Sequence, residues 1–83
     1  MVMEYTEIVS TVKDFLADEF EVDSSVIIDD ANLIETLELD SLDFVDLVVI
    51  IESNFGFKPT AEDFKGISTF KQFYDFIEGR VNS

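Results

Sequence analysis

Apolar residues near the start of the chain recur at the spacing of an α-helix. Acidic and basic residues fall between them, and neither proline nor glycine interrupts the run. The pattern predicts an amphipathic helix from about Met3 to Phe20, with one face turned toward a core. The apolar positions that carry the pattern are Tyr5, Ile8, Val9, Val12, Phe15 and Leu16.

Residues 21–40 follow neither the helical period nor the alternation of a strand. Acidic and small polar residues mix there with isolated apolar ones. So long a stretch without regular structure is unusual in a compact domain and favours a functional segment. We expect a long loop with one short helical turn, held to the core by Ile28, Leu33 and Leu37. A short strand at Val26–Ile28 is the alternative.

A second helix is predicted from about Ser41 to Phe55. Asp40 or Ser41 can cap it, because both side chains accept hydrogen bonds from the free N–H groups of a first turn. Asp43 lies in that turn, where the helix dipole favours an acid. The body is apolar nearly all round and therefore needs cover on more than one side. Gly56 provides the stop.

Two further helices complete the pattern. Thr60 can cap a short third helix from Ala61 to about Lys65, and Thr69 has the capping-box spacing that starts a last helix running to about Gly79 or Arg80. The prediction is an all-α fold: a four-helix bundle of three longer helices and one short helix, with a long loop between helices 1 and 2. We expect residues 1–83 to form one domain.

The charge balance narrows the possible partners. Nineteen acidic residues face five basic ones, and the net charge is −14. Phosphate backbones and anionic membranes repel such a surface, so nucleic-acid binding and membrane insertion are not expected. Proteins with basic patches are the natural partners.

Composition also limits the available chemistry. The chain has no cysteine and no histidine. Disulfides, Cys/His zinc sites and Ser–His relays are therefore impossible, and the sequence lacks a calcium-loop motif. We predict no catalytic residues and no metal site, so any chemistry must come from an attached group or a partner.

The sequence gives no sign of targeting to a membrane. Met1 to Tyr5 lack a basic region and a long apolar run, so a signal peptide is not indicated. The aliphatic run from Leu47 to Ile51 is too short to span a bilayer. We expect a cytoplasmic, monomeric protein.

The triplet Asp40-Ser41-Leu42, placed before an acidic and apolar helix, resembles the acyl carrier protein family. In this length, charge and helix order the triplet is a specific signal. The resemblance covers nearly the whole chain and also takes in Ala31-Asn32-Leu33-Ile34, Val45, Leu47, Phe55 and Ile67-Ser68-Thr69.

The resemblance implies a prosthetic group on Ser41. A holo-carrier-protein synthase would attach 4′-phosphopantetheine from coenzyme A through a phosphodiester. Acyl groups would then be carried as thioesters in fatty acid, polyketide or related lipid biosynthesis. The arm's thiol would explain how a chain without cysteine serves thioester chemistry.

The resemblance also implies a docking surface on the second predicted helix. An apolar stripe at spacing i, i+3, i+7 would face acyl-processing enzymes with basic docking patches. Acidic residues beside Ser41 and along the stripe would meet the basic residues. The residues concerned are Asp40, Leu42, Asp43, Val45, Asp46 and Val49, with Glu52 as a further acidic border. Ordinary core positions are the alternative for the apolar stripe.

Two departures from the family pattern matter. Thr36-Leu37-Glu38 stands where the family usually has Asp-Leu-Gly, which adds a side chain near the serine. Phe44 and Phe64 stand where family members often have small residues. The implied acyl pocket, between the second and third helices, would be lined by Phe44, Val48, Ile51, Phe64 and Ile67. Its two phenylalanines would shrink or plug it, which predicts short or unusual acyl groups or an exposed chain. Surface aromatics are the alternative.

Two functions from other classes fit the composition. One is an unmodified acidic helical adaptor that binds a basic partner through the second helix. The other is a weak cation-binding protein, since Asp29, Asp30 and Glu35 could collect cations loosely.

Overall fold

The computed structural model describes residues 3–82, and Met1, Val2 and Ser83 lie outside the described residues. The expected single domain over residues 1–83, and the expectation that Met1 to Tyr5 are not part of a signal peptide, therefore include residues outside this range. The helices are α1 (Tyr5–Phe20), a 3-10 helix (Ser24–Val26), α2 (Leu33–Leu37), α3 (Ser41–Phe55), α4 (Ala61–Lys65) and α5 (Phe70–Val81). Residues 3–82 contain no strand, only an isolated bridge between Asn32 and Thr69. The all-α prediction is confirmed.

The core is built mainly between α1 and α5. The inner face of α1 consists of Ile8, Val12 and Leu16, each fully buried, as the helical spacing predicts. Full burial of an aliphatic or aromatic side chain is worth about 1.5–3 kcal/mol, so these faces dominate the stability. The facing side chains of α5 are Phe70, Phe73, Tyr74 and Ile77.

Backbone hydrogen bonds attach the long connection between α1 and α3 to the start of α5. The Leu33 N–H donates to the Ser68 carbonyl at 2.9 Å, and the Phe70 N–H donates to the Ala31 carbonyl at 3.2 Å. These bonds join segments far apart in sequence. The connection therefore has a fixed position, although most of it is not helical.

One anchor of this connection differs from the prediction. Leu33 and Leu37 are buried as expected, but Ile28 is 56% exposed, and its neighbour Ile27 is buried instead. The 3-10 helix explains the shift, because its end at Val26 turns Ile27 toward the core. The alternative strand at Val26–Ile28 does not form.

The two ends of the described chain bind each other. The Asn82 side chain donates from Nδ2 to the Met3 carbonyl at 3.0 Å, and its Oδ1 accepts from the Met3 N–H at 2.9 Å. Asn82 follows α5 directly and Met3 precedes α1. These two hydrogen bonds therefore join the start of α1 to the end of α5.

Helix α3 has the predicted bounds but only one buried face. Leu47 and Ile51 are fully buried, and Gly56 ends the helix in the left-handed conformation with φ of 80°. The opposite face is open, although the apolar composition led us to expect cover on more than one side. Its exposed apolar side chains are Leu42, Val45 and Val49.

Candidate functional site

The start of α3 is capped by Asp40. Its carboxylate oxygen Oδ1 accepts from the N–H groups of Leu42 and Asp43, both at 3.0 Å. Asp43 completes a capping box, since its Oδ2 accepts from the Asp40 N–H at 3.1 Å. Of the two residues that the sequence offered as the cap, Asp40 takes the role and Ser41 does not.

Ser41 is the first residue of α3 and is exposed. Its hydroxyl makes no hydrogen bond with any residue from 3 to 82. It lies at the positive end of the helix dipole, where an anion is favoured. The side chain is therefore accessible and is not needed to hold the helix.

The predicted docking stripe is solvent-exposed. Leu42 is 75% exposed, and Val45 and Val49 are each 60% exposed. Large apolar side chains that share one helix face and remain exposed to water are typical of binding surfaces. Asp40 and Asp46, two of the predicted acidic docking residues, are exposed beside this stripe, whereas Asp43 is half-buried and Glu52 is exposed further along α3.

An open groove of about 830 Å³ begins at Ser41. It runs between α3 and the segment that leads into α4. Three of the predicted pocket residues, Phe44, Val48 and Phe64, line it, whereas Ile51 and Ile67 lie in the core behind it. The full lining is Ile34, Leu39, Asp40, Ser41, Phe44, Val45, Val48, Val49, Lys58, Pro59, Ala61, Phe64 and Lys65.

Two aromatic rings meet across the groove. The ring centroids of Phe44 and Phe64 are 5.4 Å apart, with an angle of 56° between the ring planes. Phe64 is only 7% exposed and lies 6.4 Å from the buried ring of Phe73. Neither groove phenylalanine is an isolated surface aromatic, because each packs against another ring.

The start of the short helix α4 is held by two sets of contacts. Thr60 and Asp63 form its capping box. Arg80 of α5 forms an ion pair with Asp63 at 3.6 Å and lies over the rings of Phe57 and Phe76, at 5.3 and 5.6 Å from their centroids. The N–H of Thr60 and then Arg80 lower the pKa of the Asp63 carboxyl. These contacts fix the wall of the groove that α4 provides.

About half of the residues that line the groove were not predicted from the sequence. Ile34 and Leu39 come from the irregular connection, where apolar residues follow no period. Pro59 is buried just before the Thr60 cap. In the sequence, a proline at this position indicates only a boundary between elements. Lys58 and Lys65 place positive charge on the lining, and no motif in the sequence indicates their convergence.

The described residues set two further limits. No group of three or more Asp or Glu residues from 3 to 82 is arranged to hold a metal ion. Within the same range, no helix is long and apolar enough to cross a membrane.

Comparison with known proteins identifies the class to which this protein belongs. The model of the family described as the phosphopantetheine attachment site matches residues 10–77. The all-α fold together with this match defines the class of protein, a phosphopantetheine-bearing carrier.

Relatives place the chain more narrowly. It is 41% identical to an acyl carrier protein of Thermotoga maritima over 75 residues, which cover 90% of this chain and 93% of the relative. It is 34% identical to an acyl carrier protein of Thermosynechococcus vestitus over 79 residues, which cover 95% and 98%. The chain belongs to the acyl carrier protein family. This confirms the predicted family and the predicted prosthetic group, 4′-phosphopantetheine.

Proposed function

We propose that this protein carries acyl groups as thioesters on a 4′-phosphopantetheine arm attached to Ser41, in fatty acid, polyketide or related lipid biosynthesis. The observation that supports this most directly is the exposed Ser41 hydroxyl at the first position of α3, free of hydrogen bonds because Asp40 provides the cap. A nucleophile that serves no structural role can be modified without breaking the helix.

The residues around Ser41 suit a phosphodiester. Oγ forms the new bond to phosphorus and loses its proton, and the nucleotide half of coenzyme A leaves. The positive end of α3 stabilises the resulting negative charge. The arm supplies the thiol that this chain lacks, so the protein itself acts as a substrate carrier and not as a catalyst.

Partner enzymes dock on α3 beside Ser41. Asp40, Asp43 and Asp46 meet basic residues of the holo-carrier-protein synthase and of each acyl-processing enzyme. Charge complementarity raises the association rate and orients the partner. The exposed side chains of Leu42 and Val45 then bury apolar area against the partner.

Intact mass spectrometry tests the site. After incubation with coenzyme A and a carrier synthase, the wild type should gain the mass of one phosphopantetheine, and Ser41→Ala should gain none. The free energy of unfolding of the unmodified variant should match that of the wild type within about 0.5 kcal/mol, because the lost hydroxyl has no hydrogen bond.

Ser53→Ala is the matched control, because Ser53 is an exposed serine near the other end of the same helix. It should gain the full mass. A gain that persists in Ser41→Ala would place the arm elsewhere. No gain in the wild type would leave the unmodified adaptor as the better explanation.

A further inference from the structure

Two phenylalanine rings lie where the groove meets the core. Phe44 and Phe64 both line the groove, and their rings pack together with centroids 5.4 Å apart. Phe64 also packs against the fully buried Phe73, with ring centroids 6.4 Å apart. Of the other predicted pocket residues, Val48 lines the groove, whereas Ile51 and Ile67 are buried in the core and do not line it.

A group tethered to Ser41 has this groove within reach. Ser41 and Asp40 line its mouth, and most of its remaining lining is apolar. Tethering raises the local concentration of the attached group to the millimolar range, so weak apolar contacts suffice to hold it. The occupant that fits is the acyl group at the end of the arm.

We infer that the Phe44–Phe64 ring pair determines how much of the acyl chain this carrier shields, by keeping the chain in the open groove and out of the buried core. The inference rests on the proposed function. Short acyl groups lie along Val45, Val48 and Val49, and longer ones extend past the groove into solvent or into a partner enzyme.

Methyl chemical shifts test this division. The holo protein is compared with its butanoyl, octanoyl and hexadecanoyl forms. In the wild type, acylation should move the methyl resonances of Val45, Val48 and Val49 and leave those of Ile51 and Ile67 unchanged at every length. In Phe64→Ala, the hexadecanoyl group should also move Ile51 and Ile67. Each acyl form is compared with the holo form of the same variant, so the ring-current change from the substitution cancels.

Two milder variants keep the test decisive if Phe64→Ala does not fold. Phe44→Ala removes the half-buried ring, and Phe64→Leu keeps an apolar side chain of smaller area. Both should admit the long chain to the core. Phe15→Ala is the control, because Phe15 pairs with Phe55 at 6.2 Å and does not line the groove; it should behave as the wild type.

The outcomes separate the two proposals. Movement of Ile51 and Ile67 in hexadecanoyl wild type, as large as in the variants, would overturn the inference while leaving the carrier function intact. Unchanged Val45, Val48 and Val49 in every acyl form would show that the groove is not the binding place. Failure of the protein to accept phosphopantetheine on Ser41 would overturn the proposed function itself.

Discussion

At the scale of single residues, Tyr74 is the side chain with the least favourable surroundings. It is the largest fully buried side chain, and its hydroxyl has no hydrogen-bond partner among the described residues. A buried hydroxyl without a partner costs about 1–3 kcal/mol. Burial, and then the negative charge of Asp29, raise the pKa of Tyr74 to about 12.

We expect Tyr74→Phe to stabilise the protein. The ring keeps its packing against Tyr5, and the unfavourable burial of the hydroxyl is removed, so the free energy of unfolding should rise by about 1 kcal/mol. Urea denaturation at neutral pH measures this. A loss of stability would instead show that the hydroxyl has a partner, such as a buried water.

The difference in stability between Tyr74→Phe and the wild type should be larger at alkaline pH. The folded-state pKa of Tyr74 is raised from 10.0 to about 12, so the neutral phenol is favoured in the folded state. The stability linked to this proton is present below pH 10 and is lost as the pH rises toward 12. Tyr74→Phe has no such loss, and the difference in urea midpoint should therefore widen between these pH values.

Local residue roles were partly predictable. Thr60, Thr69 and Gly56 serve as the caps that their spacing indicated, because capping depends on neighbours within one turn. The state of the Tyr74 hydroxyl depends on side chains that meet it through the fold. No local pattern indicates whether such a buried group has a partner.

At the scale of elements, the end of α2 positions part of the groove. Glu38 follows α2 in the left-handed conformation, with φ of 52° and ψ of 49°, and the N–H of Leu39 donates to the Ile34 carbonyl at 3.1 Å. This turn brings the side chains of Ile34 and Leu39 to the groove. A left-handed conformation costs a residue with a side chain roughly 1–2 kcal/mol, whereas glycine adopts it readily.

Glu38→Gly should therefore stabilise the protein by about 1 kcal/mol without moving the groove. The urea midpoint should rise, and the methyl shifts of Ile34 and Leu39 should stay in place. Glu35→Gly is the matched control, because it introduces glycine inside α2, where it should destabilise by about 1 kcal/mol. Destabilisation by Glu38→Gly would show that the Glu38 side chain makes a contact worth more than the strain.

The long helices were predictable, and the irregular connection was not. α1, α3 and α5 repeat apolar residues over several turns, which determines their faces. α2 has five residues, and it stands where backbone bonds from Leu33 and to Ala31 attach the connection to α5. A helix that short gets its stability from tertiary contacts, which sequence periodicity does not show.

At the scale of the whole molecule, charge opposes the packing of the core. The net charge is −14, from nineteen acidic and five basic residues. The ion pairs Lys71–Asp75, at 3.2 Å, and Arg80–Asp63, at 3.6 Å, offset little of this repulsion, because exposed pairs contribute less than about 1 kcal/mol. The folded state holds the like charges closer together than the unfolded chain does.

Added salt should therefore stabilise the fold. Raising potassium chloride to about 1 M shortens the Debye length to about 3 Å and screens the repulsion between exposed acids. The urea midpoint should rise, by an amount equivalent to about 1 kcal/mol, with an unchanged m-value. Glu19→Lys, at an exposed position in the last turn of α1, should raise the midpoint at low salt and reduce the effect of salt. A midpoint that falls on adding salt would show that attractive pairs dominate.

The groove was only half predictable, because its walls come from three separate segments. Phe44 and Val48 lie on one helix and could be placed by resemblance. Lys58 and Pro59 reach the groove through the packing of α4 against α5, which Arg80 holds. Ile51 and Ile67 were expected in the same pocket, but they are buried in the core and do not line the groove.

The neighbours Asp40 and Ser41 divide two tasks that a single serine could have combined. Asp40 supplies both hydrogen bonds of the cap, so the stability of α3 does not depend on the state of the Ser41 hydroxyl. Under the proposed function, the bare, modified and loaded forms of the protein would then share one scaffold of nearly equal stability. A series of enzymes would meet the same surface at each stage, and only the group on the arm would report how far the synthesis has advanced.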